Sequence, residues 1–287
     1  MLNIAFSLVI GAVMLGLRWW AKGYGIYYPP DHTTYLHMSQ GGAASTPFRE
    51  RWLYPFLMRR ATAAGWLWAS NIGTLLTFPA VYLFASASGV NGLWACALWG
   101  ALPGVDILWR MKGIVDHVAW PLALFAGAAI VSGHLALGLG LCILSGFVDS
   151  RVPVMVAVWT LQPGALLGLI PYLALHAVTR KGPPLMHSEM ILRPWTTART
   201  KCGQYLHTPQ VLLLPWGVCL AGLFAGSPAL WLSLAAAYGQ LLRGHDPVRL
   251  YLWAAPVMLV AALRIIPGDW LPLALALTWF NPWRPQV

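Results

Sequence analysis

Apolar runs separated by short turns are the feature that most constrains this sequence. Eleven runs can be marked out: 3–20, 63–87, 91–105, 115–132, 134–148, 152–162, 164–179, 209–225, 228–243, 249–266 and 270–283. A helix needs about 20 apolar residues, or roughly 17 at the short end, to cross a bilayer. Charged residues make up only 9% of the chain, against about 25% in soluble domains. We therefore expect an all-α integral membrane protein.

The runs predict a polytopic helical bundle of about 9–11 transmembrane helices, built as one transmembrane domain over residues 1–287. We expect short interfacial helices in the long charged loop 21–62 and an interfacial loop at 180–208. The first run lacks a basic segment before it and a small-residue cleavage site after it, which indicates a retained span. Between 134 and 162 the pattern fits either two helices or one broken helix.

The connections between the runs are of two kinds, and the two kinds alternate if every run crosses once. One kind carries much of the charge and comprises 21–62, 106–114, 149–151, 180–208 and 244–248. We call their side of the protein the charged face; with the ends of the runs and the C-terminal residues on that side, it holds 17 of 18 Lys and Arg and seven of eight Asp and Glu. The other kind, the plain face, consists of tight turns near 88–90, 132–133, 162–164, 226–227 and 267–269. Only Arg264 and Asp269 fall on the plain face.

Charge and cysteine content exclude several classes of function. The net charge is +10, but the basic residues are scattered among apolar segments, so we expect no nucleic-acid partner. An anionic lipid head or a phosphate suits them better. The four cysteines form no CxxC pair, so we expect neither a disulfide framework nor a zinc site. The histidines do not point to haem, and we predict no metal and no cofactor.

The charged residues of the first loop allow both a structural and a functional interpretation. Asp31 is either a turn former or helix cap, or a carboxylate that accepts a proton from a substrate hydroxyl. Arg49 and Arg51 either reach toward lipid headgroups or grip a phosphate with their guanidinium groups.

The later charged residues leave similar alternatives open. Asp116 begins an apolar run, so it is either a helix cap or a functional carboxylate at the end of a span. Asp149 and Arg151 are either a local ion pair or part of a site. Asp246 before Pro247 indicates a helix start, which leaves Arg249 without a structural explanation.

Four segments in order resemble pieces of the GT-C superfamily of membrane-embedded glycosyltransferases. The first, DHTTYLHMSQGGAASTPFRERWLYPFLMR, is similar to the first external loop of that family, through Asp31, Tyr35, Pro47, Phe48, Arg51, Leu53, Pro55 and Leu57. GIVDHVAWPLALFAGA resembles a piece in which an Asp leads a hydrophobic span, at Asp116. SGFVDSRVPVM resembles a span interrupted by an acidic residue, at Asp149. HDPVRLYLWAAPVMLV resembles a late piece, at Arg249, Tyr251 and Pro256.

The resemblance implies a lipid-phosphate-linked sugar donor whose head lies at the charged face. Asp31 would then be the catalytic base for an acceptor hydroxyl. Arg51, together with Arg49 or Arg249, would hold the donor phosphate. Asp116 and Asp149 would belong to the substrate-binding surroundings. The other expected partners are membrane lipids.

The chain departs from the family pattern in three respects. It is short and has no soluble domain after the spans, which adds a protein partner to the expectations. His32 follows Asp31 where the family often has Gly. The family places its charged face outside, whereas the positive-inside rule would place so many basic residues in the cytoplasm. We follow the family and expect a bacterial inner membrane with the charged face in the periplasm.

Two other functions compete with the transferase. A transporter or flippase for an anionic lipid-linked substrate would use the arginines and a path through the bundle, and would tolerate Asp31→Asn. A structural subunit of a larger membrane complex would bury the charged face against a partner. Charges gathered on one face weigh against a path through the membrane.

Overall fold

The fold is helical throughout the part of the chain that a computed structural model describes, residues 2–22, 27–44, 48–178, 213–240 and 252–281. Within those ranges the only pairing of extended backbone is one isolated parallel bridge between Tyr27 and Met111. This confirms the all-α prediction. The predicted interfacial loop 180–208 lies outside the described residues.

Up to residue 131, the described residues form seven α-helices. They are α1 (Leu2–Lys22), α2 (Pro30–Ser39), α3 (Leu53–Leu57), α4 (Ala63–Ala87), α5 (Gly92–Ala101), α6 (Val105–Arg110) and α7 (Asp116–Val131). The short helices α2 and α3 occur in the first charged loop, where the sequence predicts such elements.

The described part of the second half mixes α-helices with 3₁₀ turns. Its α-helices are α8 (Leu135–Gly146), α9 (Arg151–Thr160), α10 (Leu169–Val178), α11 (Pro228–Gly239), α12 (Ala255–Ile265) and α13 (Leu271–Trp279). Its 3₁₀ segments are Pro163–Gly168, Leu214–Ala225, Leu252–Ala254 and Gly268–Trp270. Residues 134–162 therefore form two helices with a turn between them, not one broken helix.

Two described helices, α1 and α4, are long and apolar enough to cross a membrane. A third span results if Leu252–Ile265 and Gly268–Trp279, which meet at a bend of 119°, count as one. Other apolar helices have 10–17 residues, and ten residues extend only about 15 Å against a hydrocarbon core of about 30 Å. The larger number of spans stays a prediction.

The tight turns of the plain face occur where the sequence predicts them. Gly89, Gly133 and Gly226 have φ angles of 80°, 84° and 62°, a backbone region that glycine enters without steric cost. Polar side chains then begin the next helices. Asn91 Oδ1, for example, accepts hydrogen bonds from the Leu93 and Trp94 amides at 3.0 and 3.2 Å, which satisfies donors that the helix leaves free.

Helix α7 is the centre of the packing, in contact with α4, α8 and α9. Its Trp120 ring stacks on Trp253 with centroids 4.2 Å apart. Trp159 of α9 joins this aromatic group by donating from Nε1 to the Trp253 carbonyl at 2.9 Å. The group connects α7 and α9 to the 3₁₀ segment that begins α12.

Two connections that the sequence assigns to the plain face contact each other. Arg264 Nη2, near the end of α12, donates to the Ser88 carbonyl at 2.7 Å. The turn after α4 and the bend after α12 are therefore neighbours. This agrees with the sequence prediction that both connections, and Arg264 itself, belong to the plain face.

Helices α4 and α7 approach so closely at Gly73 that a side chain there has no room. A Cβ atom on Gly73 would lie 2.3 Å from the His117 carbonyl oxygen. We therefore predict that Gly73→Ala lowers the free energy of unfolding by about 1–3 kcal/mol, measured by thermal unfolding in lipid nanodiscs. Gly140→Ala is the control, because no atom lies within 4 Å of its added Cβ. Equal stability of the two variants would contradict this packing.

Candidate functional site

Helix α2 carries Asp31 and connects it to the protein interior. Pro30 begins the helix, and Asp31 lies in the first turn, where the positive end of the helix dipole favours a carboxylate. Tyr35 follows four residues later on the same face and is completely buried. The Tyr35 hydroxyl accepts a hydrogen bond from Arg51 Nη1 at 3.2 Å.

The segment that carries Arg51 is fixed against the turn between α8 and α9. The Leu53 amide donates to the Phe147 carbonyl at 3.3 Å, and the Trp52 ring meets the Phe147 ring edge-on at 5.8 Å. These contacts bring Arg51 Nη2 to 3.6 Å from Asp149 Oδ1.

Asp149 and Arg151 form an ion pair across the start of α9. Arg151 Nε donates to Asp149 Oδ1 and Oδ2 at 3.0 and 2.9 Å, and Arg151 Nη2 also donates to Oδ2. Asp149 Oδ1 accepts in addition from the Arg151 amide at 2.9 Å. The local ion pair that the sequence left as one alternative is therefore present.

The ion pair extends beyond its own turn to the start of α7. Arg151 Nη2 donates to Asp116 Oδ1 at 3.1 Å. Arg51, Asp116, Asp149 and Arg151 thus form one group, which we call the charge quartet. Both carboxylates are completely buried. Asp116 is not the residue that precedes and caps α7, since the helix begins at Asp116 itself.

Two positive and two negative charges give the quartet no net charge, which makes its burial tolerable. Burial by itself raises the pKa of the Asp149 carboxyl, but the charges of Arg151 and Arg51 outweigh that effect and hold the pKa below its usual value. Asp149 is therefore a carboxylate at neutral pH. Arg151 also lies over the Trp253 ring, 5.3 Å from its centroid, so the quartet rests on the central tryptophan group.

A second group of charged residues includes Arg49 and Glu50, which directly precede Arg51 of the quartet in the sequence. The Glu50 carboxylate is completely buried. Its Oε1 accepts a hydrogen bond from His176 Nδ1 at 2.9 Å, and Arg49 Nη2 lies 3.5 Å from the same oxygen. This group joins the first charged loop to α10.

The start of α2 is held by the connection between α6 and α7. The Tyr27 amide donates to the Arg110 carbonyl at 2.8 Å, and the Lys112 amide donates to the Tyr27 carbonyl at 2.9 Å. His32 Nδ1 donates to the Gly113 carbonyl at 3.3 Å. Burial lowers the pKa of His32, and the Gly113 hydrogen bond offsets only part of that effect. Asp31 therefore directly precedes one fixed contact, at His32, and lies one helical turn before another, at Tyr35.

The structure brings together some of the predicted site residues and separates others. Arg51, Asp116 and Asp149 meet in the quartet, whereas Arg49 lies on Glu50. Asp31 is half-buried one helical turn before Tyr35. Arg249 lies outside the described residues. The substrate roles predicted for these residues stay predictions.

Sequence reasoning missed several residues that the structure places in or beside the site. The sequence presents Arg151 as a local partner of Asp149 or as part of a site, but it does not indicate the contact of Arg151 with Asp116 on another helix. Glu50 and His176 lie 126 positions apart in sequence, so no local pattern relates them. The local feature that could have singled out Glu50 is its position between two arginines, Arg49 and Arg51.

In the described ranges no group of three or more His, Cys, Asp or Glu residues is arranged to hold a metal ion. The cysteines seen there, Cys96, Cys142 and Cys219, are buried free thiols. No family model matches the chain, and searches of the curated proteins and of the solved structures found no match either.

Removing Arg151 should destabilise the protein strongly. Arg151→Gln leaves the buried carboxylates of Asp116 and Asp149 with one arginine, and breaking a buried ion pair costs about 3–5 kcal/mol. Thermal unfolding in nanodiscs measures the effect. Arg60→Gln removes the same charge from an exposed position and should change stability by less than about 0.5 kcal/mol. Similar unfolding temperatures for both variants would contradict the quartet.

Proposed function

We propose that this protein is a membrane-embedded glycosyltransferase of the GT-C type. It would move a sugar from a lipid-phosphate-linked donor to an envelope glycan, lipid or protein acceptor. The observation that carries the proposal is the connection of Asp31 to the buried charge quartet through Tyr35 and Arg51. That connection holds α2, and with it the half-buried Asp31, in a defined place relative to the partly buried Arg51.

The proposed reaction needs a base and a cationic environment. Asp31 accepts the proton of the acceptor hydroxyl as the hydroxyl oxygen bonds to the anomeric carbon of the sugar. The bond from that carbon to the phosphate oxygen breaks, and the lipid phosphate leaves with the electron pair. Fixed positive charge near the phosphate lowers the energy of the transition state, because negative charge develops on the leaving oxygen.

The remaining predicted residues surround the donor head in this proposal. Arg49, Arg51 and Arg249 supply positive charge, and Asp116 and Asp149 fix the arginines that they contact. The pairing of Arg51 with Asp149 neutralises part of its charge, so its larger contribution is to position α2. No resident metal or cofactor is part of the proposal.

The proposed protein is polytopic, with about 9–11 transmembrane helices in one domain. The two membrane-length helices and the alternation of charged and plain connections support this arrangement. We place it in a bacterial inner membrane with the charged face in the periplasm, where lipid-linked donors and envelope acceptors meet. A protein partner is also part of the proposal.

The transporter and the structural subunit remain the competing functions. Both accommodate a neutral, buried quartet. Neither needs a carboxylate at residue 31, since transport of an anion and docking of a partner require no proton acceptor there. The chemistry of that one side chain therefore separates the transferase from both alternatives.

Asp31→Asn should abolish transfer while leaving the fold intact, because an amide cannot accept the proton. We predict that one sugar disappears from the envelope glycans or glycolipids, measured by mass spectrometry, in a deletion strain and in an Asp31→Asn strain alike. Protein levels must match the wild type. Asp269→Asn is the control, because Asp269 is exposed beyond the bend that follows α12.

An unchanged glycan profile in Asp31→Asn, in a host where the deletion has an effect, would contradict the transferase. The charged face would then be a transport or docking surface. Loss of the sugar in Asp269→Asn as well would show that the Asp31 effect is not specific.

A further inference from the structure

Among the residues that the structure describes, Lys112 is a cation buried without a counter-ion, in the connection between α6 and α7. Its side chain is completely buried, and its Nζ atom has no hydrogen-bond partner. No carboxylate in the described ranges forms an ion pair with it. The ammonium group lies over the Trp109 ring, 5.2 Å from Nζ to the centroid.

The ammonium group is charged under physiological conditions. Burial lowers the pKa of Lys112 to about 8, which is still above neutral pH. Contact with an aromatic face returns about 0.5–2 kcal/mol, whereas burying an ion costs several kcal/mol. The aromatic contact alone therefore does not compensate for the burial of this charge.

The backbone around Lys112 is fixed, so the position of the side chain is not an accident of a loose loop. The Lys112 amide donates to the Tyr27 carbonyl at 2.9 Å, and the Gly113 amide donates to Ser70 Oγ at 2.9 Å. His117 Nε2 donates to the Met111 carbonyl at 2.6 Å. Gly113 has a φ of 73°, which allows the chain to turn between these contacts.

Lys112 differs from the arginines of the charge quartet because it has no carboxylate partner among the described residues. Arg51 and Arg151 are neutralised by Asp149 and Asp116 inside the quartet, so they have less attraction left for an incoming anion. Lys112 has its whole charge available. Its four-carbon stem also lets the ammonium group turn from Trp109 toward a ligand while the backbone stays in place.

We infer that Lys112 binds the phosphate of an anionic ligand, as the counter-ion that the described residues do not supply. The residues that fix it are also those that hold Asp31: Tyr27 pairs with Lys112, and His32 bonds to Gly113. The identification of the phosphate with the head of a lipid-linked donor rests on the proposed function. The anion site itself does not.

Binding to the full-length protein in phosphatidylcholine nanodiscs tests the inference without any transfer activity. The probes are a polyprenyl phosphate, detected by native mass spectrometry, and inorganic phosphate, detected by its effect on the unfolding temperature. The variants are Lys112→Met, which keeps the length of the side chain without its charge, and Arg60→Met, which removes an exposed charge.

Lys112→Met should bind polyprenyl phosphate about tenfold more weakly or worse, as expected for loss of one charge-assisted contact. Arg60→Met should bind as the wild type does. Without ligand, Lys112→Met should be at least as stable as the wild type, because it removes an uncompensated buried charge. If inorganic phosphate also stabilises the wild type and not Lys112→Met, the site recognises phosphate alone; if only the lipid binds, it recognises the lipid headgroup.

Equal affinity of Lys112→Met and the wild type for polyprenyl phosphate would overturn the inference. So would a marked loss of stability in unliganded Lys112→Met, since it would show a structural role for the lysine. Lys112-dependent binding without the glycan change expected for Asp31→Asn would refute the transferase and leave the anion site in place. Loss of the glycan in Asp31→Asn, together with equal binding of polyprenyl phosphate by Lys112→Met and the wild type, would support the transferase and refute the anion site.

Discussion

Mutual neutralisation of two arginines and two buried carboxylates is the interaction on which the arrangement of the charged face depends. Asp149 contacts Arg151 in its own turn and Arg51 from the first loop, and Arg151 reaches Asp116 at the start of α7. Removing any one member leaves the group with one uncompensated charge, which is far more costly than losing an exposed ion pair. The quartet therefore ties together three segments that are distant in sequence.

The position of α2 follows from that constraint. Tyr35 bonds to Arg51 at one side of the helix, and His32 bonds to Gly113 near its start. Asp31 directly precedes His32 and lies one helical turn before Tyr35. The connection between α6 and α7 also contains Lys112. The same backbone segment therefore positions Asp31, the proposed base, and Lys112, the residue proposed to bind the phosphate. A defined distance between a base and a leaving group is what a transferase requires.

The sequence predicted the helical class, the tight turns and the division of charge between connections, because apolar runs, glycines and charged residues are local signals. It also suggested Asp149 with Arg151, which lie two positions apart. It did not predict the contacts of Arg151 with Asp116 or of Glu50 with His176, which depend on packing between helices. The burial of Lys112 could not be predicted for a related reason, because a lysine in a polar connection between helices carries no local signal of burial.

Amide hydrogen exchange in nanodiscs tests most directly whether the quartet positions the helix that carries Asp31. Asp149→Asn removes the charge that both arginines share, and Asp269→Asn is the exposed control. The account predicts faster exchange in Pro30–Ser39 as well as around residue 149 in Asp149→Asn, and no change in the control. Faster exchange near residue 149 alone, with α2 unchanged, would show that α2 is held independently of the quartet and would contradict the account.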